Sequence, residues 1–500
     1  MSLLGIDVGT TGCKAALFAP DGRMLAAAYR EYDVQHPEPG WAELDSAYVW
    51  AAVQETIRQV AGQAEVGDPI EALSISSLAE SVVPVSADRR ILGPSLLNFD
   101  CRGEEYVPAL RQQLTPERLY YINGNTLGNH FTLTKLMWIK EHQPRLYEQT
   151  AYFLHWTSFV AFMLGAEPTV DYSMANRTLF FDINREAWSE ELLAVAGLEA
   201  DKLARPVPSH TVVGTVSPGV AADLGLPPGV QIAIGAHDQC ANAVGCGVLN
   251  PGQASYGMGT YHCIAPVFTG RRAPAIMIER GINTEHHAIP GRFMAFIYNQ
   301  GGALVKWFRN TFAAAEHQQA LQNDQSIYPA LLDEMPPDPS SVVVLPHFMT
   351  TGPPEFIANS SGVITGLRLE TTRGDILKGI IESIAYSLKE NIDNLPPTGI
   401  AIEEYRVAGG GSRSDIWIQI CADILGQRFI RPEVTEASAL GAAIIAGVGC
   451  GAFTSFEEGV ATMIRLGRTF EPDMRMHTRY GQNYAKYRQL WPLLREYLTG

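Results

Sequence analysis

One short pattern occurs twice in this chain, and it narrows the possible folds more than any other feature. Leu3 to Asp7 is an apolar run, Val8 to Gly12 a turn of glycine and threonine, and Cys13 to Phe18 a second apolar run; Ser255 to Ile264, SYGMGTYHCI, has the same layout. Apolar runs bounded by glycine turns read as β-hairpins. A hairpin opening each half points to a duplicated unit around one central cleft; chance recurrence of a short hairpin is the competing reading. In the first copy Gly9, Thr10, Thr11 and Gly12 offer unobstructed backbone N–H groups and two hydroxyls, the chemistry that cradles a phosphate, and Asp7 can orient water around Mg2+. The spacing is neither the GxGxxG of a dinucleotide loop nor the GxxxxGK(S/T) of a P-loop, so a plain tight hairpin is the alternative.

Between the two copies, a stretch rich in Pro, Gly and Val (Pro206 to Pro228) leads into QIAIGAHDQCANAVGCGVL at 231–249. Ile232 to Ile234 reads as a buried strand and the small residues from about Gln239 as a helix, with Asp238 at its mouth. Ligands of open α/β sheets gather beyond the carboxyl ends of the strands, so Asp238 is expected in the cleft; for a lone Asp, a helix N-cap competes. The domain boundary is placed just beyond, giving residues 1–248 and 249–500. Upstream, the strand Ile70 to Ser76 runs into Leu78-Ala79-Glu80-Ser81, and a later segment ends at Phe99-Asp100-Cys101-Arg102. Polar groups at strand ends make Glu80, Asp100 and Arg102 candidates for a pocket walled by Phe99, against a set of surface salt bridges. Downstream, Gly409-Gly410-Gly411-Ser412 separates a strand from a helix, which lets a flat ligand approach the backbone and offers an anion a helix N-terminus. EASALGAAIIAG at 436–447 reads as a tightly packed interface helix.

Five hundred residues exceed one core, so two or more domains are expected. A net charge of -16 disfavours extended nucleic-acid binding. No run approaches the ~20 apolar residues of a membrane span, and MSLLGIDVGTT lacks the basic and apolar regions of a signal peptide. A cytoplasmic protein with neither nucleic-acid nor membrane partners is the expectation. The scattered cysteines contain no CxxC pair, and adjacent His286 and His287 read as loop surface rather than a metal site.

Together these stretches resemble the FGGY family of carbohydrate kinases, within the actin, hexokinase and Hsp70 superfamily. The carriers are GIDVGTTGCKAALF, TKLMWIKE, GAHDQCANAVG, YGMGT, AGGGSRSDIWIQICADILG and EASALGAAIIAG, in the family's order along essentially the whole chain. The resemblance implies two ribonuclease-H-like α/β domains flanking a central cleft, where ATP with Mg2+ meets a sugar or polyol. Residue by residue it implies Asp238 as catalytic base and Asp7 beside the metal. It puts Thr10 and Thr11 in the first phosphate hairpin and Gly259 and Thr260 in the second. Gly301, Gly410, Gly411 and Ser412 fall on the nucleotide; Glu80, Phe99, Asp100, Arg102 and Gln239 fall on the sugar.

The expected reaction is in-line transfer of the γ-phosphoryl group of ATP to a hydroxyl, with Asp238 accepting the proton. Ser77-Leu78-Ala79-Glu80 is neither the Arg-Glu pair of glycerol kinases nor the Met-His pair of xylulokinases. The spelling of Thr169 to Thr178 favours a ketopentose such as xylulose over glycerol, erythritol, ribulose or gluconate. A non-enzymatic nucleotide switch of the same superfamily is the reading from another class; it would need neither Asp238 nor a sugar pocket. The Pro- and Gly-rich boundary suggests closure over bound sugar, and the family's habit admits a homodimer.

Overall fold

The computed structural model describes residues 1–64, 68–349, 351, 352, 357, 359–434 and 436–499. The first glycine turns fold β1 (Ser2–Val8), β2 (Gly12–Phe18) and β3 (Met24–Glu31) into an antiparallel meander. Three later strands extend it: β4 (Ile70–Ser77), β5 (Val212–Thr215) and β6 (Gln231–His237). β4 lies parallel to β1 and β6 parallel to β4, while β5 closes the edge antiparallel, in the order β5-β6-β4-β1-β2-β3. β1, β4 and β6 are nearly continuous apolar or small runs because the inner parallel strands are covered on both faces.

The second sheet repeats the wiring. β7 (Gly252–Met258) and β8 (Tyr261–Thr269) form the second hairpin, and beyond β8 lie β9 (Glu285–His286), β10 (Arg292–Met294) and β11 (Ile297–Gln300). β10 and β11 pair β8 antiparallel. β12 (Ile402–Ala408) runs parallel to β7, β13 (Arg428–Pro432) parallel to β12, and β14 (Leu466–Phe470) closes antiparallel. Each half is thus a hairpin with antiparallel pairing on its second strand, two later strands parallel to its first, and an antiparallel closing strand. That is the duplication expected from the two glycine turns. The short β9 strand also corrects the reading of His286 and His287 as surface. Both rings are buried, because β9 pairs inward against β10, and burial pushes them down to about 4 and about 3. Among the described residues no group of three acidic, His or Cys side chains could hold a metal by itself.

Helices cover the sheets. α1 (Ser46–Ala61) starts where Asp45 accepts the backbone N–H groups of Ala47 and Tyr48 at 3.0 Å, and it buries Val49, Val53, Ile57 and Val60. α2 (Asp238–Gly245) follows β6, α3 (Asp415–Leu425) follows β12 and α4 (Ala437–Gly449) follows β13. α2 and α4 cross between the halves at backbone distance. A Cβ on Gly245 would stand 1.8 Å from the Ala437 carbonyl oxygen, and one on Gly441 would stand 1.9 Å from that of Ala241. This is the interface role expected for residues 436–447.

A methyl group at that crossing cannot be absorbed by a flexible side chain. Gly441→Ala is expected to cost about 1–3 kcal/mol by overpacking, read as a lowered melting temperature. Gly219→Ala, with nothing within 4 Å of the added methyl, should not lower it. Equal melting temperatures for the two variants would remove the steric account of the crossing.

Candidate active site

The site grows from the carboxyl edge of the three inner strands of the first sheet. Asp7 of β1 is in register with Ser76 of β4, and Ser77 of β4 with His237 of β6. Parallel pairing therefore brings Asp7, Ser76 and Asp238 to one edge. Ser76 Oγ donates to Asp7 Oδ1 at 2.8 Å. Burial first, and then the charge of Asp238, push the Asp7 carboxyl up to about 7, against that hydrogen bond.

Asp238 is not a helix cap. The cap position is His237, and no side chain there or at Asp238 accepts a backbone N–H of α2. Instead Asp238 Oδ1 lies 3.0 Å from His237 Nε2 and accepts from Gln239 Nε2 at 3.1 Å. Both partners use the same oxygen, so Oδ2 is left for the cleft, where the side chain is 31% exposed. Burial alone would lower the pKa of His237, but the charge and hydrogen bond of Asp238 outweigh it and raise it. The peptide ahead of Asp238 is pinned as well, since the His237 N–H donates to Ser173 Oγ at 2.9 Å and the Ser173 N–H donates to the buried Asp171 at 2.8 Å.

Both hairpin tips are held by backbone and leave side chains open. Tyr32 of the first half donates its hydroxyl to the Gly9 carbonyl at 2.6 Å and its N–H to that of Thr11 at 3.1 Å. Thr10 is half-buried and Thr11 exposed. Gly259 and Thr260 are exposed, and their carbonyls accept the N–H groups of Gly302 (2.9 Å) and Gly301 (3.0 Å). Gly301 therefore sits on the second hairpin, at the start of the helix Gly302–Phe312, where a Cβ would meet the His262 ring at 2.0 Å. The turn Gly410–Arg413 packs on β7: a Cβ on Gly411 would stand 3.1 Å from Met258, while one on Gly410 would meet nothing. Ser412 is buried and donates its hydroxyl to the Gly409 carbonyl at 2.7 Å, so it shapes the turn.

The sugar candidates separate into two groups. Glu80 is buried at positive φ (63°), and Arg177 Nε donates to its Oε1 at 2.6 Å. Asp100 and Arg102 turn to each other: Arg102 Nη2 donates to Asp100 Oδ2 at 2.6 Å and to Glu43 at 2.7 Å, and Asp100 also accepts the Ala42 N–H at 2.6 Å. The guanidinium lies 4.0 Å from the Trp41 ring centroid. Both side chains are buried and occupied, so they brace the segment carrying Phe99, which is 58% exposed.

Sequence reasoning missed four groups. Lys14 stands opposite Asp7 in the β1–β2 register and ion-pairs with Glu436, the residue ahead of α4. Its position just past a glycine and threonine turn was the one available signal. Arg177, Glu285 and His237 carried none, because their partners are set by chain crossings.

The residues fit a hydrated divalent cation. Asp7 and Asp238 are like charges close enough to raise Asp7, an arrangement that a cation relieves, and Mg2+ typically keeps several waters and takes one or two carboxylates plus phosphate oxygens.

The N-terminal domain of the FGGY family of carbohydrate kinases matches residues 2–245, and the C-terminal domain of that family matches residues 279–450. A xylulose kinase of Bacillus subtilis (strain 168) is 29% identical, covering 99% of this chain and 96% of its own. A glycerol kinase of Janthinobacterium sp. (strain Marseille) is 31% identical, covering 95% and 97%. The crystal structure of xylulose kinase from Rhodospirillum rubrum superposes with a TM-score of 0.87 at 26% identity, covering 99% of each chain.

If His237 and Gln239 orient Asp238, His237→Asn and Gln239→Ala should each lower turnover by roughly 10- to 100-fold with the melting temperature unchanged. Full activity in both would mean that Asp238 needs no such orientation.

Proposed function

Because the chain belongs to the FGGY family and is an ATP-dependent carbohydrate kinase, we propose that its acceptor is a ketopentose such as D-xylulose, phosphorylated in line with Asp238 as general base. The observation that carries the mechanism is Asp238 Oδ2, left open at the cleft edge while Oδ1 is tied to His237 and Gln239. A hydroxyl there gives its proton to Oδ2 as the new O–P bond forms to the γ-phosphorus and the bond to the departing ADP breaks. Backbone N–H groups at Thr10 and Thr11 and at Gly259 and Thr260, with the hydroxyls of Thr10, Thr11 and Thr260, hold the phosphates from both sides. Gly301 keeps the second hairpin in place. Gly410 and Gly411 give the adenosine a flat approach, and Ser412 fixes their turn. Asp7 is the group that would hold Mg2+, which when bound would supply charge neutralisation for the transferring group.

Glu80, Phe99 and Gln239 are the groups assigned to the sugar, with Asp100 and Arg102 supporting Phe99 from behind. The ketopentose reading is supported by the likeness to xylulose kinases over the full chain length. A polyol such as glycerol is the second reading, favoured by an equally extensive likeness to a glycerol kinase. The units that close on the sugar are taken as residues 1–248 and 249–500.

A coupled ADP-release assay across ketoses, polyols and aldonates tests the acceptor, and the ketopentose reading fails if D-xylulose is not among the best substrates. Asp238→Asn should lose at least about 100-fold in turnover while still binding ATP; wild-type turnover in that variant would remove Asp238 as base. Chelation with EDTA should abolish turnover and added Mg2+ restore it.

A further inference from the structure

Arg177 joins two carboxylates from opposite halves of the chain. Its Nε donates to Glu80 Oε1 at 2.6 Å and its Nη1 to Glu285 Oε1 at 2.5 Å. The side chains of Glu80, Arg177 and Glu285 are 6%, 11% and 1% exposed, and the guanidinium lies 4.8 Å from the Phe131 ring centroid and 5.8 Å from that of Phe296. The cluster adjoins the reacting edge: Phe296 sets its ring edge on His237, centroids 5.2 Å apart, and His237 holds Asp238.

One guanidinium against two carboxylates leaves a formal charge of -1, and Asp238 and Asp7 at the same edge add to it. Glu285 also keeps a buried oxygen, Oε2, with no hydrogen-bond partner among the described residues, while its Oε1 additionally accepts from Asn283 Nδ2 at 2.9 Å. The neighbouring cations are already committed: Arg102 to Asp100 and Glu43, Lys135 to the carbonyls of Asp100 and Arg102, and Lys14 to Glu436. His130, beside Arg177, is held neutral, burial foremost and then Arg177 and Lys135 pushing it down to about 3. An incoming carboxylate would therefore meet an excess of negative charge and, among the described residues, cations that are already paired, whereas a hydroxyl can donate to the carboxylates.

We propose that the Glu80–Arg177–Glu285 cluster is the substrate filter of this enzyme: it admits neutral ketoses and polyols, turns away anionic aldonates, and takes its selectivity from the second carboxylate that its single guanidinium leaves unbalanced. The inference rests on the sugar-kinase reading of the cleft and narrows its substrate class. Because Glu285 comes from the second half, the filter is complete only when the halves are together.

The test is kcat and KM for D-xylulose, glycerol and D-gluconate with wild type, E285Q, E80Q and R177K, alongside melting curves. Wild type should favour its best neutral substrate over D-gluconate by at least about 100-fold in kcat/KM, and E285Q should narrow that ratio about 10-fold through the KM for gluconate. R177K, which keeps the charge but loses the fork, should raise the KM for the neutral substrate about 10-fold with kcat nearly kept. A buried structural ion pair would lower melting temperature without moving the ratio. If E285Q does not fold, E80Q makes the same charge change from the other end and the same narrowing is expected. An unchanged ratio in a folded E285Q, or in E80Q where E285Q is unfolded, overturns the filter alone. A wild type that prefers gluconate overturns both the filter and the ketopentose reading, and one that prefers glycerol overturns only the latter.

Discussion

The backbone-distance crossing of α2 and α4 is the contact on which the rest of the cleft depends. α2 starts with Asp238 and carries Gly245 against Ala437; α4 carries Gly441 against Ala241. Glycines on both sides let the helices close until carbonyl oxygens nearly touch the opposing Cα, a separation no side chain could share. One step ahead of α4, Glu436 reaches Lys14, which lies opposite Asp7. A single packing event thus ties Asp238, Asp7 and Lys14, all from the first half, to Glu436 and α4 of the second.

Around that crossing the cleft is built mainly from acceptors. Asp7, Asp238, Glu80 and Glu285 are drawn together, and the cations in reach are paired off with carboxylates or carbonyls. Concentrating like charges out of water is costly, as the raised Asp7 carboxyl records. The arrangement is tolerable where a divalent cation and hydroxyl-rich ligands complete it, which suits a reaction dominated by positioning and charge neutralisation. The hydrogen bonds from His237 and Gln239 to one oxygen of Asp238 break the symmetry of its carboxylate and leave the other without either of them.

Much of this was readable along the chain. The glycine and threonine turns located both hairpins, the apolar run at 232–234 located β6, and the triple glycine located the turn between β12 and α3, because each depends on neighbours within a few residues. The same local reading misjudged Asp238 as a potential cap: an Asp ahead of a small-residue helix looks like a cap until its oxygen is seen facing a histidine ring. It also grouped Asp100 and Arg102 with Glu80 as one pocket, since all three follow strand or strand-like segments. In the fold Arg102 turns back onto Asp100 and Glu43 while Glu80 finds Arg177, 97 positions away.

The sequence by itself determined the duplicated architecture, the family and the turns that open each half, because turn chemistry and strand periodicity act over short spans. Only the tertiary structure decided which polar ends are free and which are occupied. Arg177 and Glu285 are 108 positions apart and lie in different halves, and no local pattern encodes a partner supplied by the other half of the chain. Strand register and helix crossing settle such pairings, and through them the charge that a substrate meets.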